Sequence, residues 1–358
     1  MTGVLFDNMT CYLSTRIKGK PFTVTEYNFC APNRFHHEGG LAMGAYSAFQ
    51  NVSGIYSFDF NGYNHKTRWN FVTQPGGHLG WFAISVDPVR LLSQRVISLL
   101  YLRGDVAAAP ESEMKLLTVT PADYKLKEVQ EYGYPRTAAK ARIPAKFHTL
   151  ALYTRVAMDA AERVPANSWS LAEMLSEKPL KKFPAGKGTY LPEKGYISSS
   201  TGEITVDANI STIRVVTPKS EGFTVTGKSM KGSRLSVTGS TGICSVFASA
   251  LDGKNLAETS RAVVFHITDI QASGRKISRL GDRQLAYNWG KQNPYLLKKS
   301  SVTVSLHNTG KGRLRIHALD INGKVLAEVP FKEENNVVTF TADTGKYASM
   351  AYELVREQ

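Results

Sequence analysis

Cysteine is scarce in this sequence: three residues in 358, Cys11, Cys30 and Cys244, set far apart. They make neither a disulfide framework nor a CxxC-type ligand spacing. Long apolar runs are missing too. The longest candidates, such as Val96–Leu102, fall well short of the roughly 18–20 residues that a membrane span requires. The opening stretch, Met1 to Thr10, has no basic n-region and no apolar h-region, so no signal peptide is legible. Acidic residues are the minority charge: 30 Asp and Glu against 44 Lys and Arg, for a net charge of +14. Such an excess suits an anionic partner, or is simply a basic surface. No zinc-finger, RNP-type or Walker motif is present, so no specific nucleic-acid partner is implied. There is no internal repeat and no low-complexity tract.

What remains is a foldable globular composition, 42% apolar and 21% charged. At ~150 residues per domain the length suggests two or three domains. The chain changes character near residue 195. Before it, strand-like and helix-like segments alternate. Phe22–Tyr27 is rich in β-branched and aromatic residues and reads as a strand. Glu38–Gln50 reads as a helix with an apolar side, although two early glycines argue against its start. Gly54–Phe60 is a second strand. Asp87-Pro88 opens a second helix, with Asp as N-cap and Pro at the first helical position. This strand–helix–strand–helix order is the grammar of a parallel sheet. Lys115–Thr120 reads as a strand and Ala145–Arg163 as a helix. Pro179–Lys194 has the composition of a linker.

After residue 195 nearly everything reads as short strands, from Glu203–Val206 to Ala351–Val355, the pattern of a β-sandwich. Asn322-Gly323 predicts a type I′ hairpin. The expected organisation is α/β plus all-β. Residues 1–104 would hold two βα units, 105–194 a mixed connection, and 195–358 an antiparallel sandwich.

Glu26 is the most informative residue. It sits at the C-terminal end of a strand that reads as parallel and buried, where α/β folds place their chemistry. A carboxylate there serves as nucleophile or acid/base, or merely bonds a loop. Asp59, at the end of the second strand, occupies the same edge. Asn28, Asn33 and Arg34 lie on the loop after the first strand. They can reach sugar hydroxyls; Asn28 and Asn33 can equally cap turns. Tyr63 and Trp69, with Phe60, Phe71, Trp81 and Phe82, crowd the loop after the second strand. Such rings stack on sugar CH faces or anchor the loop in the core. Glu38 reads as a first-turn helix residue favoured by the dipole. His36-His37-Glu38 lacks a His-x-x-x-His partner, so neither metal nor cofactor is implied. Gly274–Lys299 holds seven basic residues and one acid, Asp282, with Tyr287, Trp289 and Tyr295 interleaved. That mix suits an anionic glycan, or is a solvated basic loop.

The run Gly19-Lys20-Pro21-Phe22-Thr23-Val24-Thr25-Glu26-Tyr27-Asn28, with Ala31-Pro32-Asn33-Arg34 and then Gly54-Ile55-Tyr56-Ser57-Phe58-Asp59, resembles the end of the catalytic barrel in clan A retaining glycoside hydrolases. These are cellulase-like and β-galactosidase-like (β/α)8 enzymes. There a Thr/Ser-Glu-Tyr/Trp word on the seventh barrel strand carries the nucleophile, and the matching residue is Glu26. The resemblance implies hydrolysis of a poly- or oligosaccharide, with Tyr27, Asn28, Asn33, Arg34, Asp59, Tyr63 and Trp69 at the substrate; the net charge of +14 would suit an anionic one. It also implies a trailing β-sandwich. The clan's acid/base Glu belongs on the fourth strand, and only 25 residues precede Glu26. A barrel needs ~250 residues. The chain is therefore expected to be the C-terminal part of a longer enzyme, inactive alone, with its compartment, secreted or periplasmic among the options, left open by the sequence. The rival expectation is a non-catalytic carbohydrate-binding or structural sandwich with a vestigial barrel segment.

Overall fold

The computed structural model describes residues 13–60, 82–123, 145–176, 178, 186–280, 283–288 and 291–357, with backbone alone at 280, 283–285, 287 and 291–294. Two compact units interleave along the chain. One takes Met1–Thr25, Ala45–Tyr56 and Val106–Ser211; the other takes Glu26–Gly44, Ser57–Asp105 and Thr212–Gln358.

The first hundred residues follow the expected order: β1 (Thr23–Tyr27), α1 (Gly39–Phe49), β2 (Gly54–Ser57) and α2 (Pro88–Ile97). The Ser53 amide donates to the Phe22 carbonyl at 2.7 Å and the Phe58 amide to the Tyr27 carbonyl at 2.9 Å. Both pairs are 31 residues apart, so β1 and β2 run parallel. Among the described residues these two strands pair only with each other, and no barrel closes. The α2 N-terminus forms as its sequence dictates: the Asp87 carboxylate accepts from the amides of Val89 at 2.9 Å and Arg90 at 3.3 Å.

Two glycines of α1, Gly40 and Gly44, are there for packing. Every residue from 36 to 50 is buried. A side chain on Gly40 would meet the Ser93 Cα at 2.8 Å, and one on Gly44 the Ile97 Cα at 3.0 Å. With glycine four residues apart, α1 approaches the backbone of α2 directly. Replacing Gly40 by Ala gains helix propensity yet forces that contact apart. We expect a net loss of about 1–3 kcal/mol. Chemical denaturation checks it; unchanged or raised stability would show that the helices do not meet at Gly40.

The first unit contains a parallel sheet of β3 (Lys115–Val119), β4 (Val156–Ala160) and β5 (Ser168–Ser170), in the order β4-β3-β5. A helix, Ala145–Tyr153, precedes β4. The sequence reading carried this helix to Arg163, and the structure corrects it. The Gln50 amide nitrogen donates to the carbonyls of Ala151 and Thr154, at 2.7 Å each. Its oxygen accepts from the Val156 amide at 3.2 Å. One distant side chain thus satisfies the helix end and starts the strand. The same unit holds the antiparallel run β6 (Thr189–Leu191), β7 (Tyr196–Ser198) and β8 (Ile204–Asp207). Of the linker-like stretch, residues 179–185 lie outside the described residues.

In the second unit, β9 (Thr212–Val216), β10 (Ser220–Thr226), β11 (Met230–Lys231), β12 (Leu235–Thr238), β13 (Ile243–Ala250) and β14 (Arg261–Ile267) come first. Four polar and basic strands follow: β15 (Ile270–Ser273), β16 (Lys276–Leu280), β17 (Arg283–Asn288) and β18 (Lys291–Leu297). The rest are β19 (Ser301–His307), β20 (Arg313–Leu319), β21 (Val325–Glu328), β22 (Phe331–Glu334), β23 (Val337–Asp343) and β24 (Ala351–Glu357). One antiparallel sheet has the order β21-β20-β24-β14-β13-β10-β9, the other β11-β12-β19-β23-β22. Burial alternates along β19, β20 and β23, as in strands with one face on a core. Phe340 of one sheet packs on Tyr352 of the other with ring centroids 5.7 Å apart. These are the two layers of a sandwich.

β10 and β13 are buried on both faces. The segment ahead of α1 covers their outer side: His37 Nδ1 lies 2.9 Å from the Ser245 hydroxyl. The Asn322-Gly323 hairpin forms, but not as type I′. Of the two residues only Gly323 takes a positive φ, +89°. The Asp320 carboxylate accepts from the amides of Asn322 at 2.9 Å and Lys324 at 2.8 Å, and the register shifts at Ala318/Leu319. The side-chain bridge from Asp320 favours a longer, bulged turn.

Candidate functional site

β1 explains where Glu26 stands. Period two puts Glu26 on the same face as Val24, which is buried. Glu26 is exposed, so the cover over that face ends within two residues. Among the described residues its carboxylate has no hydrogen bond and no ion pair. The strand end is tied to the end of β2 by the Phe58–Tyr27 amide bond and by Asn28. The Asn28 amide nitrogen donates to the carbonyls of Phe58 and, at 2.7 Å, Phe82. This fixes the segment that carries half-buried Asp59, whose carbonyl accepts from the Ile84 amide at 3.1 Å.

The other sequence-predicted residues divide sharply. Tyr27 is buried, and its hydroxyl donates to the Gly39 carbonyl at 2.7 Å, so it anchors the start of α1. The Asn33 side chain accepts from the Phe35 amide at 2.9 Å, the turn-capping geometry. Arg34 is exposed, its guanidinium 4.5 Å from the centre of the Phe35 ring. Tyr63 and Trp69, like Phe71 and Trp81, lie outside the described residues.

Behind the strand end the chain buries three titratable groups in a row. His36, His37 and Glu38 form a single 3-10 turn before α1. Burial raises the Glu38 carboxyl to about 8, so it holds its proton at neutral pH. Its Oε1 has no hydrogen-bond partner. Burial lowers both histidines below their ordinary value, and His37 far below it. Among the described residues neither ring nitrogen of His36 is hydrogen-bonded; its Nε2 stands 3.5 Å from Asp269 Oδ1. Burial also raises the Asp269 carboxyl, with nearby His36 opposing.

Within the second unit a cavity of about 640 Å³ opens over His36 and Asp269. Asn33, Arg34, Arg275 and Arg279 all line it. The sequence placed Asn33 and Arg34 beside Glu26's loop and the basic segment in the β half; the structure joins them in one wall. His36 and Asp269 are the members that sequence reasoning missed. The one signal was the period-two series Asp269, Gln271, then Arg275, Ile277, Arg279, all of which line the cavity. Among the described residues no cluster of three or more His, Cys, Asp or Glu is gathered as metal ligands, and no helix is long and apolar enough to cross a membrane. No family model, no curated protein and no solved structure matches the chain.

Proposed function

We propose that this chain is the nucleophile-bearing part of a retaining glycoside hydrolase, with β1 and β2 as adjacent strands of its barrel and Glu26 as the attacking carboxylate. One observation carries the reading: an exposed carboxylate, tied to no cation, at the C-terminal end of a parallel strand. A structural glutamate in such a place is normally paired or bonded; a nucleophile must be ionised and open. In the reaction a Glu26 oxygen bonds to the anomeric carbon as the glycosidic C–O bond breaks. The leaving oxygen takes a proton from a second carboxyl, which then draws a proton from water as that water displaces Glu26. The two groups must stand about 5–5.5 Å apart. By the same resemblance, that second carboxyl belongs to another barrel strand.

The supporting residues take distinct parts in this reading. Asn28 and Tyr27 hold the strand end in position through their bonds to Phe58, Phe82 and Gly39. Asp59, on the neighbouring strand end, orients a sugar hydroxyl. Asn33 caps the loop turn through the Phe35 amide, and Arg34 lies exposed against the Phe35 ring. Loss of turnover on replacing Glu26 alone by Gln, with the fold retained, tests the assignment.

A further inference from the structure

The cavity over His36 has a composition that catalysis at Glu26 does not account for. Four cationic side chains line it, Arg34, Arg275, Arg279 and Lys298, against one acid, Asp269. The alternation of strand residues explains their convergence. From Arg275 into β16, every second side chain, Arg275, Ile277 and Arg279, faces the cavity. Arg34 comes from the loop after β1, more than two hundred residues away in sequence. Arg34, Arg279 and Lys298 make no ion pair among the described residues. His36 there is only 4% exposed; among the described residues neither of its ring nitrogens is hydrogen-bonded, and Nε2 stands 3.5 Å from Asp269, so it offers a buried polar group to whatever enters.

We infer that this cavity binds an acidic oligosaccharide, one whose sugar rings carry carboxylate or sulfate groups. The volume lies within the range of small-ligand pockets, roughly 300–1,000 Å³, and admits more than one sugar ring. Guanidinium groups match carboxylate and sulfate oxygens with two parallel hydrogen bonds. Ile277 and Leu296 offer apolar surface between the cations, suited to the CH faces of a ring. Among the described residues no Phe, Tyr or Trp lines the cavity. The saccharide part of this inference rests on the glycosidase reading; the anionic part rests on the cavity alone.

Calorimetric titration of the full chain with tetragalacturonate, a heparin-derived tetrasaccharide, neutral cellotetraose and citrate tests it. We expect at least one acidic tetrasaccharide to bind tenfold or more tighter than cellotetraose and than citrate. Binding should weaken as salt is raised. Arg34→Ala and Arg279→Ala change exposed side chains, so the fold should persist; each should weaken binding about five- to tenfold. Failure of both acidic tetrasaccharides, citrate binding as tightly, or variants that bind like the parent would each overturn the assignment. Acidic-sugar binding that depends on Arg34 and Arg279 in a chain whose Glu26 proves inert would uphold the cavity and remove only the catalytic reading.

Discussion

Glu26→Gln should lower turnover of an aryl β-glycoside by on the order of 10⁴-fold or more in an enzyme that carries this segment on a complete barrel. The amide is nearly the shape of the carboxylate but cannot form the bond to the anomeric carbon. Because Glu26 is exposed and makes no hydrogen bond or ion pair among the described residues, the change should leave stability within about 0.5 kcal/mol. Substrate binding should persist. Steady-state kinetics with a melting curve on the same samples separate chemistry from folding. A variant that keeps its turnover, or loses it only by unfolding, would remove Glu26 from the mechanism.

Glu38→Gln should change how stability depends on pH. Burial raises the folded-state carboxyl from 4.5 to about 8. The folded chain therefore holds this proton more tightly than the unfolded chain. Stability from this group is fully present below about pH 4.5, and it is lost as the pH climbs to about 8. The amide that replaces the carboxyl has no proton to lose. The stability of the variant relative to the parent should rise between pH 5 and pH 8 by an amount of order 3 kcal/mol. The buried histidines act in the opposite sense. His266 is lowered by burial to about 4, so its contribution is lost as the pH falls from 6.5 through 4. Denaturation of parent and variant at several pH values measures the difference. Parallel curves from pH 5 to pH 8 would mean that Glu38 is ionised and solvated in the folded chain.

The sandwich strands were legible because their information is local. Every strand expected from Glu203 to Val355 forms, to within a few residues, since β-branched residues alternate with polar ones between turn signals. Some of the failures trace to a partner far away in sequence. Nothing in residues 145–163 says that Gln50 will end the helix at Tyr153. Strands β15 to β18 were read as a basic loop because charge was counted without the alternation beneath it. In the candidate site, the position of Glu26 at a strand end followed from the local pattern. That Tyr27 would anchor Gly39, and that Arg34 would share a cavity with Arg279, required the fold.

Covalent trapping tests the central claim most directly. A 2,4-dinitrophenyl 2-deoxy-2-fluoro-glycoside has a leaving group that departs without protonation, so it reports the nucleophile independently of any acid/base partner. The fluorine slows release of the sugar from the enzyme. The full chain, and a longer barrel-bearing form, would be incubated with gluco-, galacto-, manno- and xylo-configured reagents, digested, and mapped by mass spectrometry. The account predicts one added fluorosugar on the peptide containing Glu26, absent in Glu26→Gln. An adduct on Glu38 or Asp59 instead, or none in either form with any of the four sugars, would contradict it.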